Sequence, residues 1–295
     1  MLKRQTSADQ AFDIFNYIFI GLVVLLTVYP LLYVLLASFS DPVDRVANGV
    51  SLLPRPSTLE GYKRVFNDGT IWIGFKNSFT YAVSFALLST TISLTAAYGL
   101  SKRDLVGRNI FMAFFIITLF LNGGLIPTYL LVRGLGMYNT IWALIIPNSV
   151  NVINIILART FITSSISNEI KQAAEIDGCS NFNYFIRILL PLSKPLIAIL
   201  LLYDIVGQWN SYFDAMIYLD NKLMYPLQLV LRNILVQNDA PPGMIGDIQS
   251  INELKRIAEL IKYSVIIIAS APLIILYPFL QKYFEKGVML GSIKG

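Results

Sequence analysis

Long apolar runs and short polar segments alternate along this chain, and the apolar runs have the length of membrane-spanning helices. A helix needs about 20 apolar residues to cross a bilayer. Six runs come close to that length, at about residues 12–39, 75–100, 109–132, 140–161, 196–219 and 263–283. The pattern therefore predicts an all-α fold class, a polytopic membrane protein whose six-helix transmembrane domain covers residues 12–284.

Helix-breaking residues modify two of these spans. Pro30 predicts a kink in the first span. That span is interpreted as a retained helix and not a signal peptide, because it is too long and no small-residue cleavage site follows it. Asn122-Gly123-Gly124 and Pro127 predict that the third helix bends or ends near its outer end.

A polar hairpin at residues 168–195 interrupts the apolar pattern. Four positions of its first part lie on one face of a helix: Ile170, Ala173, Ala174 and Asp177. The two alanines have small side chains, so another backbone could approach this face closely. Gly178 suits the left-handed conformation that ends a helix, and Ser180 suits the cap of the next one. The second part repeats the spacing as an apolar stripe: Phe182, Phe185, Ile186 and Leu189. Pro191 and Pro195 are expected to stop it.

The longer polar segments, residues 40–74 and 220–262, are predicted to lie on the other side of the membrane from the hairpin. Residues 58–62 predict a capped turn that leads into a short helix. Residues 251–261 predict an amphipathic helix on the membrane surface or on a partner, with four apolar side chains at helical spacing: Ile251, Leu254, Ala258 and Ile261.

Composition supports a membrane protein and excludes several enzyme classes. Of 295 residues, 55% are hydrophobic and 14% charged, and the mean hydropathy is +0.62, which does not describe a soluble domain. The chain has no His and one Cys. These counts exclude His-based catalysis, His-containing metal sites and disulfides within the chain. Cys179 is interpreted as a small filler, because no His can activate it.

The placement of Lys and Arg predicts the orientation. Six spans put both termini on one side, and three basic clusters favour the cytoplasm for that side: Lys3 and Arg4; Lys102, Arg103 and Arg108; and Lys282, Lys286 and Lys294. Residues 1–11 and 285–295 are then cytoplasmic, and so is the hairpin. The net charge of +5 does not indicate nucleic acid, because these cations sit at the ends of apolar runs.

The hairpin also carries a family pattern. Gln172-Ala173-Ala174 is followed, after three residues, by Gly178 and, after nine more, by Ile188-Leu189-Leu190-Pro191. This pattern resembles the E-A-A loop of permease subunits of bacterial ABC importers, in the maltose-permease-like branch. The family's usual first Glu is Gln172 here. Further segments resemble the subgroup of lipoprotein-dependent complex-sugar permeases: residues 123–127, 209–210, 225–228 and 286–295.

The resemblance implies the ABC importer permease fold and a role for the hairpin as the coupling loop on which an ATPase docks. The residues implied in docking are Glu169, Gln172, Ala173, Ala174, Asp177, Gly178, Phe182, Ile188 and Pro191. The chain has no G-x-x-x-x-G-K-[ST] motif, so hydrolysis of ATP is not expected in this chain. No catalytic residue, metal or cofactor is predicted in it, and ATP and Mg²⁺ would be bound by partner ATPases. An ordinary cytoplasmic loop that joins two spans is the alternative.

The same resemblance implies the partners and the location. The partners are a second homologous permease, two ATP-binding-cassette ATPases, an extracellular solute-binding lipoprotein, a carbohydrate substrate and the lipid bilayer, with no nucleic acid. The location is the bacterial cytoplasmic membrane. Residues 40–74 and 220–262 would form the outer platform for the binding protein, with solvated loops as the alternative.

The fifth span contains the candidate solute pathway. Asp204, Gln208 and Ser211 belong to a polar stripe at helical spacing with Gly207, and acids inside a membrane usually face a cavity or a partner. Trp209, Asn210 and Tyr212 follow, and a sugar uses both flat apolar faces and amide groups. The alternative is that the aromatic residues are membrane-interface anchors and that Asp204 pairs with a neighbouring helix.

The fourth span adds Asn151 as a weaker pathway candidate. Asn148, Asn151 and Asn154 are spaced by three and are predicted on one side of a helix, where hydrogen bonds between helices are the alternative role.

Two other function classes remain open at this point. A secondary transporter or channel that works without an ATPase predicts related halves and paired intramembrane charges, and no clear internal repeat is present. A membrane-embedded enzyme lacks an obvious nucleophile–base or metal constellation.

Overall fold

The computed structural model of the chain describes residues 7–44, 57–121, 123–238, 256–275 and 278. Its helices are α1 Ser7–Ser38, α2 Glu60–Asn67, α3 Gly69–Ser101, α4 Arg108–Phe120, α5 Leu125–Gly134, α6 Trp142–Ile145, α7 Val152–Ser165, α8 Asn168–Ile176, α9 Asn181–Leu192, α10 Lys194–Asn210, α11 Phe213–Tyr218, α12 Leu227–Asn238 and α13 Arg256–Ile275. The described residues contain no strand beyond an isolated bridge between Ser40 and Ser57. The predicted all-helical class is confirmed.

The chain divides into two compact units, Met1–Asp68 with Asn233–Ser270 and Gly69–Arg232 with Ala271–Gly295. In the first unit, the Ser38 and Tyr62 hydroxyls are 2.7 Å apart, which joins the end of α1 to α2. Arg256 at the start of α13 forms an ion pair with Asp41 at 2.6 Å. These contacts lie around the predicted short helix α2. Thr58, two residues before this helix, accepts a hydrogen bond from the Glu60 N–H at 3.2 Å, whereas the N-cap residue Leu59 makes no side-chain cap hydrogen bond.

The second unit is built around α3, which packs along α10 and α7. One face of α3 consists of small residues that are all at most 1% exposed: Ser78, Ala82, Ala86, Ser89, Ser93 and Ala97. Small side chains let helix backbones approach closely in a membrane, where dispersion contacts drive helix association. The sequence of α3 therefore sets how tightly the three helices pack.

Three helices are each long and apolar enough to cross a membrane among the described residues: Asp9–Ser38, Gly69–Ser101 and Arg256–Ile275. The count rises to five if each of two broken helix pairs is one span. Those pairs are α4 with α5, and α9 with α10. α4 ends at Phe120 and α5 begins at Leu125, which confirms the predicted break, although Asn122 itself lies outside the described residues.

The fourth predicted span is wrong as a single helix. Residues 140–161 form α6, then a non-helical stretch over residues 146–151, then α7. Pro147 lies in this stretch and cannot donate a backbone hydrogen bond. The Asn151 side chain accepts hydrogen bonds from the N–H groups of Ile153 and Asn154 at 3.0 and 3.3 Å, so it caps the start of α7. Asn148, Asn151 and Asn154 therefore do not share one helix face.

Two further boundaries differ from prediction. The fifth span stops at Asn210, and Ser211 and Tyr212 separate α10 from α11, so Ser211 is not part of the polar helix stripe. At the other end of the polar segment, Ala258 and Ile261 belong to α13, which continues without a break into the last span. The predicted separate surface helix is wrong for these two residues. Its other members, Ile251 and Leu254, lie outside the described residues, as does the predicted tail 285–295.

We predict that Gly61→Ala destabilises the first unit, because α13 leaves no room for a side chain at this position. A Cβ atom on Gly61 would lie 2.5 Å from the Leu260 carbonyl oxygen and would collide with the Ser264 hydroxyl. Overpacking of this kind costs about 1–3 kcal/mol. Thermal unfolding of the purified protein in detergent measures the loss. Gly69→Ala is the control, since nothing lies within 4 Å of its Cβ, and equal unfolding temperatures for the two variants would contradict the packing.

Candidate functional site

The hairpin at residues 168–195 forms two short helices joined by a glycine turn. The Ser167 hydroxyl accepts a hydrogen bond from the Glu169 N–H at 3.2 Å and caps α8. Gly178 has φ +72°, a left-handed conformation that costs a side-chain-bearing residue energy. The Ser180 hydroxyl then accepts from the Asn183 N–H at 3.3 Å and caps α9. The predicted first helix, the glycine turn and the capped start of the second helix are confirmed.

The end of the hairpin differs from the prediction. Residues 185–189 form a π-helical segment within α9, so the predicted α-helical stripe does not keep its register. Pro191 lies inside the last turn, α9 ends at Leu192, and Pro195 occupies the first turn of α10. The two helix axes meet at 80° around Ser193. The break at Ser193, between the two prolines, is what stops α9. Pro195 belongs to the first turn of α10, where a missing N–H is harmless.

One side of the hairpin is fixed to the helix bundle. Ala174, Tyr184 and Leu189 are buried in a core with residues of α3, α7 and α10. Tyr98 on α3 lies 5.3 Å from the Phe185 ring, and the Lys102 ammonium donates a hydrogen bond to the Asn181 side-chain oxygen at 2.8 Å. A force applied to the hairpin would therefore reach α3, α7 and α10 directly.

The other side of the hairpin is exposed. Among the predicted docking residues, the exposed ones are Glu169, Gln172, Ala173, Asp177, Gly178, Phe182 and Pro191, whereas Ala174 is buried and Ile188 packs against the core. Phe182 is 71% exposed. Ile176 was not among the predicted docking residues and is 87% exposed beside the glycine turn. A sequence signal for it is an apolar residue at the polar end of α8.

Asp204 lies in a buried polar cluster with Thr90 and Asn154, which we call the polar cluster. Its carboxylate accepts a hydrogen bond from the Asn154 amide at 2.9 Å and one from the Thr90 hydroxyl at 3.4 Å. Asp204 is 4% exposed. The three residues come from α10, α7 and α3, so the contact that the sequence left as an alternative, pairing with a neighbouring helix, is present. A role for Asp204 in solute passage stays a prediction.

The other candidate pathway residues are spread around the end of α10. Trp209 is 3% exposed and its ring meets that of Phe75 edge-on at 5.3 Å. The Gln208 amide donates to the Leu144 carbonyl at 3.5 Å, and the Asn210 amide donates to the Val206 carbonyl of its own helix at 2.8 Å.

The non-helical break after α10, residues 211–212, contains an exposed aromatic side chain. Tyr212 is 40% exposed, and the Arg232 guanidinium lies 5.7 Å from its ring centre. Asn148, which the sequence placed on a helix, instead donates to the Asp214 carboxylate at 2.8 Å. Among the described residues, no cluster of His, Cys, Asp and Glu could hold a metal ion.

Residues 2–290 match the model of the family described as binding-protein-dependent transport system inner membrane component. The chain belongs to this family, whose members are membrane permeases. The predicted family, permease subunits of carbohydrate ABC importers, is confirmed.

Relatives and a solved structure agree over almost the full length. Protein LplC of Bacillus subtilis is 38% identical over 99% of this chain and 98% of its own length. The polygalacturonan/rhamnogalacturonan transport system permease protein YtcP of the same organism is 36% identical over 97% of this chain and 99% of its own length. A chain from the crystal structure of a bacterial ABC transporter involved in the import of the acidic polysaccharide alginate matches with a TM-score of 0.84 and 30% identity, covering 95% of this chain and 99% of that one.

We predict that Asp204→Leu destabilises the protein by about 1–3 kcal/mol, because the buried Asn154 amide loses its acceptor. The double variant Asn154→Leu/Asp204→Leu should cost less than the sum of the two single changes, since it removes both halves of the pair. Thermal unfolding in detergent gives the three values. Asn210→Leu is the control, because among the described residues the Asn210 side chain bonds only to its own helix. Additive losses, or a changed sugar KM in Asp204→Leu at unchanged stability, would contradict a structural role.

Proposed function

We propose that this chain is one of two permease subunits of an ATP-driven importer, and that the pair forms the passage for an oligosaccharide or complex sugar. Family membership over residues 2–290 is the observation that carries the proposal. The transport systems of its relatives support carbohydrate as the cargo, because they include polygalacturonan/rhamnogalacturonan transport and arabinooligosaccharide transport.

The hairpin is the coupling loop in this proposal. Its exposed side presents two large apolar side chains, Ile176 and Phe182, on either side of the rigid Gly178 turn. Its buried side is packed against α3, α7 and α10. An ATPase bound to the exposed side would move the spanning helices when its nucleotide state changes, which is a two-state equilibrium biased by differential binding. ATP and Mg²⁺ bind to the two ATPase subunits.

The proposed topology has six crossings with both termini in the bacterial cytoplasm. In chain order, α1 is the first crossing, α3 the second, the broken pair α4 and α5 the third, and α13 the sixth. α7 has 14 residues and reaches about 21 Å at the helical rise, which is shorter than the roughly 30 Å hydrocarbon core. The fourth crossing in chain order therefore uses α6, the non-helical stretch and α7 together. α10 is the remaining crossing, and the hairpin before it faces the cytoplasm.

The outer platform for a solute-binding lipoprotein is residues 40–74 and 220–262 in this proposal. The part around residue 220 is firmly held, because the Asn139 side chain accepts hydrogen bonds from the N–H groups of Asp220 and Asn221, both at 3.1 Å. Tyr138 donates to the Asp220 carboxylate at 2.9 Å, and this hydrogen bond raises the pKa of the Tyr138 phenol. A rigid surface loses little conformational entropy when a partner binds.

The sugar pathway is proposed at the break after α10. Tyr212, Asn210 and Ser211 lie where α10 ends, and a helix end inside a membrane protein is tolerated where it lines a cavity. Trp209 and Phe75 form the packed aromatic base beneath this break. Asp204 holds α10 in place through the polar cluster, and Gln208 does so through its contact with α6. A second, homologous permease completes the passage.

We predict that Gly178→Val uncouples ATP hydrolysis from sugar uptake in vesicles that contain the whole importer. Valine in a left-handed conformation costs about 1–2 kcal/mol, so the turn between α8 and α9 should change shape while the rest of the subunit stays folded. Gly136→Val is a matched control, because Gly136 also has positive φ (+71°) and open space around it but lies in the turn after α5. Unchanged coupling in Gly178→Val would contradict the proposal.

We predict that Ile176→Ser and Phe182→Ser weaken ATPase association without a loss of stability. Exposed side chains contribute within about 0.5 kcal/mol to folding, whereas apolar anchors at the centre of an interface contribute 2 kcal/mol or more each, on the order of a 30-fold weaker complex. Co-purification of the ATPase and thermal unfolding separate the two effects. Leu223→Ser is the control, because Leu223 is 65% exposed in the outer segment. Normal ATPase binding in both hairpin variants would disprove the docking surface.

A further inference from the structure

A basic cleft of about 650 Å³ opens beside the hairpin, between the turn that joins α3 to α4 and the first turns of α8. Five basic side chains line it, against the two acids Asp104 and Glu175: Lys102, Arg103, Arg108, Arg159 and Lys171. The acids are too few to neutralise the cations, and Glu175 is already paired with Lys171 at 3.4 Å. The cleft therefore carries a net positive charge.

The three arginines of the cleft have no acid partner within the part of the chain that the structure describes. Arg159 is half-buried on α7, and its Nε–H donates only to the Leu100 backbone carbonyl, at 3.1 Å. Arg103 and Arg108 form no ion pair or side-chain hydrogen bond among the described residues. A half-buried guanidinium with spare donors favours an anion with several oxygen atoms, because charge-assisted and bidentate hydrogen bonds are the strong ones.

An apolar surface continues from the cleft along α4. Arg108 is both the first residue of α4 and a cleft residue. The next turns of α4 expose large apolar side chains, including Ile110 at 63%, Phe111 at 51% and Phe114 at 64%. On the proposed topology, this places a site for an anion with several oxygen atoms at the cytoplasmic edge of the bilayer and an acyl-chain surface directly beside it. Basic pockets between spanning helices on that side of a membrane are suited to anionic lipid headgroups.

We propose that the cleft binds the phosphate headgroup of an anionic phospholipid, whose acyl chains lie along α4. The phosphodiester oxygens accept hydrogen bonds from Arg103, Arg108 and Arg159. Lys171 and Gln172 of α8 also line the cleft, so the bound lipid contacts the coupling loop and adjusts how firmly α8 is held against the bundle. The proposal rests on the cytoplasmic orientation and not on the identity of the sugar.

The test uses the complete importer in nanodiscs of phosphatidylcholine, with or without phosphatidylglycerol. After extraction and washing, mass spectrometry counts the phosphatidylglycerol that stays bound to the complex. The wild type should retain it, and Arg103→Gln/Arg108→Gln should retain roughly tenfold less, since each basic side chain at the membrane surface adds to the attraction. Arg133→Gln/Lys222→Gln removes two basic side chains on the opposite side of the proposed topology and should behave as the wild type.

Three results would overturn the proposal. Equal lipid retention in the cleft variant and the wild type would show that the cleft is not the site. If free inorganic phosphate raises the unfolding temperature of the lipid-free complex as much as phosphatidylglycerol does, the site takes a small anion. If the cleft variant loses its ATPase subunits in pure phosphatidylcholine, the cleft is part of the ATPase interface. Lipid counting needs no transport, so a wrong sugar assignment would leave its outcome unchanged.

Discussion

The close packing of α3 against α7 and α10 is the constraint on which the second unit of the structure depends. A stripe of serine and alanine on α3 leaves room for two helix backbones, and the polar cluster then fixes their register, because Asp204 is satisfied only when Asn154 and Thr90 both face it. A buried carboxylate without partners is costly. Sliding any of the three helices by one turn would break at least one of these two hydrogen bonds, so the cluster resists such movement.

The hairpin is able to transmit movement because it is packed against this bundle. Ala174, Tyr184 and Leu189 share one core with Ala97 of α3, Ala158 of α7 and Leu200 of α10. The exposed turn at Gly178 and the three packed helices are therefore joined by dispersion contacts and not by a flexible linker. In the proposed function, this connection is the route by which movement of a bound ATPase would change the passage through the membrane. The basic cleft, where we propose that an anionic lipid binds, lies at the same junction.

Breaks in the spanning helices mark the places where function is proposed. The stretch over residues 146–151 and the break at Ser211 and Tyr212 both leave backbone groups without helical partners, which a bilayer does not tolerate unless protein or water satisfies them. Asn151 satisfies two N–H groups by capping α7. Asn148 bonds to Asp214 of α11, so the two breaks are linked to each other. Irregular backbone of this kind is suited to a polar passage.

The sequence by itself determined the helical class, the approximate apolar runs, the caps and glycine turn of the hairpin, and the family, because these depend on composition and on contacts a few residues apart. Only the tertiary structure decided which polar residues meet. Asp204, Asn154 and Thr90 lie at least 50 residues apart in the chain, and no local pattern links them. Tertiary packing also decided the burial of Ala174 and Ile176, which lie two residues apart in a short helix. Ala174 is buried because it packs against α3, α7 and α10, and Ile176 is exposed because it lies away from them.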